Sequence, residues 1–494
     1  MASLRDYTPS INFPVLLRII GLLLAIESAF LLVPLVTCLI YGERDWIWFL
    51  VTLCITATSG LLMMFCIHPR SSNMGKREGF LLTALVWVFF SLFGMLPFML
   101  MENDPMSVSD AFFEAMSGFT TTGATVMGTI SHLSHGVIMW RCLMQWIGGM
   151  GIIIFTLAVI PMLNHSGGMQ MFNAEVTGIT HDKLRPRISQ TAKGLWMIYI
   201  TLTIVLFVLL IAGPMGPFDA LCHAFSTMST GGFSTVDASL AEWNSVYIEI
   251  VVTVFMFIGG TSFTLIFRAA HGEFKPLWRN DVFRTYIGII FVMYILFVIG
   301  IFYHGQAISV KAVTLDPIFQ IVSTITSTGY EASDLKNWGT FVLALVFALM
   351  FFGGCAGSTS GGAKIDRLIY LVKNCRNEIV RTIHPNDVLT VRVNDKVIPH
   401  EIVSKVIAFL CLYVMIIMVG GVLLTALGLP LVDSFFSAFS CISNTGLGAG
   451  VTGYGESYGI VPDVGKWLLA LIMLIGRLEL FTVLILFTPA FWHK

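Results

Sequence analysis

Four stretches of the chain align on one another without a gap: Asp110-AFFEAMSGFTTTGA, Asp219-ALCHAFSTMSTGGF, Asp316-PIFQIVSTITSTGY and Asp433-SFFSAFSCISNTGL. Each opens on Asp and carries Ser seven residues on, at Ser117, Ser226, Ser323 and Ser440. A small hydroxyl follows at ten, Thr120, Ser229, Thr326 and Ser443, and a Gly at thirteen, Gly123, Gly232, Gly329 and Gly446. A repeated unit must fold the same way in every copy, and the copies must bury themselves on one another.

The medium is set by composition. Of 494 residues 56% are apolar and 12% charged, against about 25% charged in soluble domains. Ten apolar runs of spanning length are read at about 14–41, 46–67, 80–101, 137–163, 194–213, 246–270, 285–303, 338–374 (interrupted), 405–428 and 464–490. The first is too long for a signal-peptide core and reads as a retained membrane helix. A net charge of −1 gives no nucleic-acid signal. Cysteines such as Cys38, Cys54, Cys66, Cys142 and Cys411 lie in apolar runs without metal spacing and read as small buried hydrophobes. His132 and His135 read as loop polarity, and Glu27, Glu114 and Arg141 as satisfied structural polar groups.

Basic residues gather in alternate connections: Arg70, Lys76 and Arg77; Lys183, Arg185, Arg187 and Lys193; Arg268, Lys275, Arg279 and Arg284; and the stretch from Lys364 to Lys405. The opposite connections hold only Arg44, Lys311, Lys336 and Lys466. The positive-inside rule makes the former cytoplasmic, with the N-terminus inside and the four aligned stretches on the outer side. Each stretch is followed by a second shared mark: Trp146-IGGMG, Phe257-IGGTS, Phe351-FGGCAG and Leu474-IGRLEL. The expected fold is all-α and membrane-integral, with ten transmembrane helices. Four pseudo-symmetric helix–pore-loop–helix repeats, 80–193, 194–284, 285–404 and 405–494, surround one pore, and 1–79 adds an N-terminal helix pair.

Each aligned stretch is too short to cross. About ten helical residues rise roughly 15 Å, half the hydrocarbon thickness. Asp110, Asp219, Asp316 and Asp433 are expected to N-cap these short helices at the wet end. The C-termini then point into the membrane, where their partial negative charge favours a cation. The residues beyond them are Thr121, Thr122 and Gly123; Thr230, Gly231 and Gly232; Ser327, Thr328 and Gly329; and Asn444, Thr445 and Gly446. None is charged. Rings of backbone carbonyls suit a dehydrated monovalent cation, and Gly permits the backbone angles that aim them inward.

The run 338–374 is interrupted by Gly353, Gly354, Cys355, Ala356, Gly357, Ser358, Thr359, Ser360, Gly361 and Gly362, in which five of ten residues are Gly. Such a stretch is a poor helix, and it is expected to be a mobile intramembrane loop that blocks the path beneath the filter. Arg477 lies in an apolar helix, in the column of Gly149, Gly260 and Gly354. It is expected to face the cavity, hydrogen-bond carbonyls of the loop and repel cations, with Glu479 as its alternative partner.

The motifs Phe113-EAMSGFTTTGATV, Trp146-IGGMGI, His223-AFSTMSTGGFST, Phe352-GGCAGSTSGGAK and Gly476-RLELFTV together resemble the Trk-type potassium-uptake membrane subunits, the TrkH/TrkG branch of the Trk/Ktr/HKT superfamily. The resemblance implies potassium uptake selective over sodium, because all four filter positions are Gly, with K⁺ as the bound and transported ion. It further implies a gating role for the 353–362 loop, a bacterial inner membrane, a homodimer, and a cytosolic TrkA-type ring that binds nucleotides. The second filter departs from the others, with Gly231 where they have Thr, which bears on how symmetric the ion sites are. Nothing in the chain calls for an organic cofactor or for enzymatic function. The alternatives are a less selective monovalent-cation transporter of the same fold, the ion-translocating subunit of an ATP-driven pump, and a membrane-embedded enzyme.

Overall fold

A computed structural model describes residues 11–69, 74–151, 188–305, 309–332, 338–453 and 456–492. Arg70, Lys183, Arg185, Arg187 and Lys336 lie outside the described residues, as does the run 137–163 beyond Gly151. The described chain is built mostly of helices, and large apolar side chains such as Ile40, Phe65, Val208, Phe302 and Val422 are exposed on its outside. Such a surface is stable only against lipid, so this is a multi-pass membrane protein.

Among the described residues six helices are long and apolar enough to cross: Phe13–Tyr41 (two helical pieces in line), Trp46–Cys66, Arg77–Leu100, Lys193–Ile211, Asp281–Tyr303 and His400–Ala426. Two further runs, 246–270 and 464–490, are not continuous helices as read from the sequence. Val246–Gly259 meets Phe263–Ala270 at 107°, and Asp463–Arg477 meets Phe481–Phe487 at 114°. In the first, the Gly259 and Gly260 carbonyls turn away from their own helix and accept from Thr359 and Cys355 N–H. In the second, Glu479 and Leu480 take positive φ at the bend. The interrupted run also divides as expected, into Gly339–Phe352 and Ile365–Ile383.

Small residues set the helix spacing. The N-terminal helices cross at Gly21 and Gly60, where a Cβ on either would lie 2.7 Å from the other's carbonyl oxygen. Such crossings let backbones approach where no hydrophobic effect drives helices together. The fold is not wholly helical. Val391–Val393 pairs antiparallel with Lys396–Ile398 in a hairpin whose turn, Asn394-Asp395, has positive φ at both residues, the requirement of a two-residue turn matched to strand twist. Asn394 exchanges hydrogen bonds with Asp281, which ties the hairpin to the base of the Asp281–Tyr303 helix.

Cys38, Cys142, Cys222, Cys355 and Cys441 are buried, whereas Cys54, Cys66 and Cys411 are exposed. The latter three, expected inside, stand on lipid-facing helix sides, because membrane helices are apolar on both faces and hydropathy does not distinguish them.

Candidate functional site

The four aligned stretches form short helices at Val108–Phe119, Pro217–Met228, Val310–Ile325 and Leu431–Ser443, nearly all buried in their C-terminal halves. After each helix the backbone repeats one conformation. Thr121, Thr230, Ser327 and Asn444 have φ of 53, 54, 52 and 52°, and Gly123, Gly232, Gly329 and Gly446 have φ of 82, 82, 79 and 77°. In every copy the carbonyl of the Ser column accepts from the N–H five residues on: Thr122 to Ser117, Gly231 to Ser226, Thr328 to Ser323 and Thr445 to Ser440. The Ser column therefore fixes the turn through its backbone, and the four side chains are completely buried among packed helices.

The segments close into a ring. A Cβ on Gly123 would collide with the Gly231 carbonyl oxygen, one on Gly232 with that of Thr328, one on Gly329 with that of Thr445, and one on Gly446 with that of Thr122. Each would fall roughly 1 Å inside the 3.0 Å that real Cβ atoms respect. Each glycine is thus required twice, by its own left-handed φ and by the carbonyl of the next segment. The Thr122, Gly231, Thr328 and Thr445 carbonyls, one per segment, sit beside one another where four helix C-termini meet. The arrangement presents neutral oxygen dipoles and partial negative charge, and its chemistry is that of a cation site.

Behind the ring the hydroxyls brace the backbone. Thr120–Thr122, Thr326–Thr328 and Ser443–Thr445 are hydroxyl pairs at 2.8 Å. Asn444 Nδ2 donates to Thr122 Oγ1 and to the Met473 carbonyl, both at 3.0 Å, clasping the fourth segment to the first. Glu114 and Arg141, both buried, form an ion pair at 2.9 Å. Glu114 also accepts from Val126 N–H and Thr125 Oγ1, and Arg141 stacks 4.2 Å from the centre of the Phe233 ring. The pair joins the first segment to the second, but the reading of Glu27, Glu114 and Arg141 as satisfied holds only in part: Arg141 Nη1 and both carboxylate oxygens of Glu27 are buried without a hydrogen-bond partner among the described residues. His135 pairs with Glu43 and stacks on Tyr41 while His132 meets Thr129, so the two histidines do not converge.

The Asp column does not cap the short helices. The caps are Ser107, Gly216, Ser309 and Pro430. Asp110, Asp219 and Asp433 lie three residues inside, and Asp316 lies deeper, because the third helix gains an extra turn that Ser309 initiates. A first-turn carboxylate still favours the helix N-terminus, and it reaches the chain returning from the ring: Asp219 accepts from Thr235 Oγ1 at 2.6 Å and Asp433 from Val451 N–H at 3.0 Å. Asp110 pairs with buried Lys466 at 2.5 Å, and Lys311 lies 4.0 Å from Asp316.

The 353–362 loop packs against the C-terminal ends of the short helices and touches three segments. Thr359 Oγ1 donates to the Met228 carbonyl at 3.3 Å, Gly361 N–H to Ser327 Oγ at 2.5 Å, and a Cβ on Gly361 would strike the Ser443 carbonyl. Arg477 donates to the Thr359 carbonyl and, through its other terminal nitrogen, to the Gly148 carbonyl, both at 2.9 Å. Glu479, the alternative partner read from the sequence, instead pairs with Arg367. Lys364, at positive φ, donates to the Ser360 carbonyl. Two basic side chains, Arg477 and Lys364, therefore hold carbonyls of the loop, and Arg367 donates to the Ala363 carbonyl just beyond it. Arg477 was legible as an intramembrane charge; Lys364 and Arg367 merge in the sequence with the basic stretch that follows them. Gln145, which bonds the second segment, was missed, because a single Gln in an apolar run carries no pattern.

A family model described as TrkH, cation transport protein, matches residues 48–494. The chain is 36% identical over 485 residues to the Trk system potassium uptake protein TrkH of Escherichia coli strain K12, covering 98% of this chain and all of that protein. It is 32% identical over 476 residues to the Trk system potassium uptake protein TrkG of the same strain, covering 96% and 97%. The crystal structure of the potassium transporter TrkH from Vibrio parahaemolyticus superimposes with a TM-score of 0.88 at 35% identity, covering 98% of this chain and all of that one.

Proposed function

The chain belongs to the TrkH family of cation transport proteins, and from that premise we propose that it takes up potassium through the carbonyl ring, with the 353–362 loop as the gate. The observation that carries this reading is the closed order of the ring, in which each glycine lies against the carbonyl of the next segment. Four dipoles can then replace the water around one monovalent ion, and no carboxylate in the ring holds the ion too tightly to leave. Filter residues in this reading are Thr121, Thr122, Gly123, Thr230, Gly231, Gly232, Ser327, Thr328, Gly329, Asn444, Thr445 and Gly446. The matching φ values at two positions per segment support four pseudo-symmetric repeats at 80–193, 194–284, 285–404 and 405–494, with ten crossings in all and 1–79 as an added pair. Contacts of the loop with three segments, and of Arg477 with the loop, support a closed gate.

The further parts of the proposal are an inner-membrane location with a cytoplasmic N-terminus, a homodimer, symport with a second ion, and control by a cytosolic nucleotide-binding ring. In support, Lys311 and Lys466 lie beside Asp316 and Asp110, at the ends of the short helices assigned to the outer side. The test is radiolabelled rubidium uptake into liposomes holding the purified chain, competed with potassium or sodium. Block by potassium but not by equal sodium is expected; equal competition would reduce the reading to a pore for monovalent cations in general.

A further inference from the structure

The ring is not fully symmetric, and its two departures from symmetry touch. In the column before each filter glycine, three segments carry Thr122, Thr328 and Thr445, and the second carries Gly231. In the column before the Trp146, Phe257, Phe351 and Leu474 marks, three repeats carry Met256, Met350 and Met473, and the first carries Gln145. These two exceptions are 86 residues apart in the chain and in direct contact.

We propose that Gln145 is a positioning residue of the second filter segment, replacing the missing threonine side chain and setting the discrimination of potassium from sodium. The inference rests on the filter reading above. Gln145 is completely buried. Its Nε2 donates to the Gly231 carbonyl at 2.7 Å. Its Oε1 accepts from Ser226 Oγ at 2.6 Å and from Phe233 N–H at 3.1 Å. Both partners of Oε1 donate and the partner of Nε2 accepts, so only one amide orientation satisfies all three. The three bonds grip the segment at its root (Ser226), at the ring carbonyl itself (Gly231) and just past the filter glycine (Phe233).

The volumes match as well. A Cβ on Gly231 would lie 2.5 Å from Gln145 Oε1, so the amide occupies the space a threonine would need. Elsewhere the threonine hydroxyl in this column is held at 2.8 Å by the hydroxyl two residues before it. In the second segment Ser229 has no such partner and bonds back to the Ser226 carbonyl. The brace has therefore moved from the segment's own hydroxyl pair to a neighbouring helix. One lone pair of the Gly231 carbonyl is engaged by the amide and the other remains for an ion.

The test compares wild type, Gln145→Met, Gly231→Thr and the double variant, as purified proteins in liposomes. The readouts are total rubidium uptake and the ratio of its block by potassium and by sodium. Gln145→Met should keep permeation and lower the potassium preference about tenfold, the equivalent of the one net hydrogen bond to the ring carbonyl, while loss of the bonds to Ser226 and Phe233 lowers stability. Gly231→Thr alone collides with the amide and should abolish uptake. The double variant recreates the pattern of the other three repeats and should recover both uptake and preference. An unchanged preference in Gln145→Met, or a double variant no better than either single one, overturns the proposal. If Gln145→Met cannot be recovered folded, the double variant decides alone: recovery with wild-type preference supports the proposal and failure ends it. A wild type without any preference would instead sink the filter reading on which the proposal stands.

Discussion

Replacing Arg477 with Ala should open the pathway. Its guanidinium holds the Thr359 carbonyl in the loop and the Gly148 carbonyl on the helix opposite, each at 2.9 Å. Opening must break the first of these. A hydrogen bond to a charged group contributes about 1.5–3 kcal/mol, so losing it shifts the closed-to-open balance by about 2 kcal/mol, or roughly thirtyfold. The same substitution removes a positive charge next to the ion path, which adds to the gain in flux. Rubidium flux through the purified variant in liposomes measures the sum. Arg477→Lys separates the two contributions: it keeps the charge but cannot fork between two carbonyls, so it should give an intermediate flux. If Arg477→Ala conducts like wild type, the loop is not held shut by this contact and the gate reading is wrong.

Gly232→Ala places a methyl against the Thr328 carbonyl at a φ of 82°, and should lower potassium preference or yield of folded protein more than the same change at exposed Gly272, read by competition uptake and size-exclusion chromatography. Glu114→Ala leaves buried Arg141 unpaired and should cost about 3–5 kcal/mol, seen as a clear fall in thermal unfolding temperature in detergent; an unchanged temperature would mean that water reaches this pair. Gly21→Leu drives a side chain into the Gly60 carbonyl, and should destabilise the N-terminal pair while the rubidium preference of the surviving protein stays as in wild type.

What could be read from the sequence was what the chain repeats or what burial makes costly. The four glycines announced themselves by spacing, yet only half their reason was visible. Their backbone angle is a local matter, whereas the carbonyl each one faces belongs to another segment. Arg477 was legible because charge inside an apolar run demands a partner. Its partner was rightly placed in the loop, but Glu479 proved to serve Arg367, which is 112 residues away in the chain. The Asp column was misassigned because a cap signal marks a helix start only to within a few residues, and Ser107 and Gly216 cap their helices three residues earlier. Hydropathy also overstated continuity: 246–270 is apolar throughout, but Gly259 and Gly260 break it where the loop supplies new hydrogen-bond donors. Gln145 lay beyond reach: the missing threonine at Gly231 was visible in the sequence, but only proximity shows that Gln145 fills its place.

The most direct measurement is to locate the ion itself, by anomalous diffraction from crystals of the protein grown with rubidium in place of potassium. The account predicts a peak on the ring axis, enclosed by the carbonyls of Thr122, Gly231, Thr328 and Thr445, that added potassium displaces and equal sodium does not. A peak only elsewhere in the molecule, or one at the ring that equal sodium displaces as readily as potassium, would contradict it.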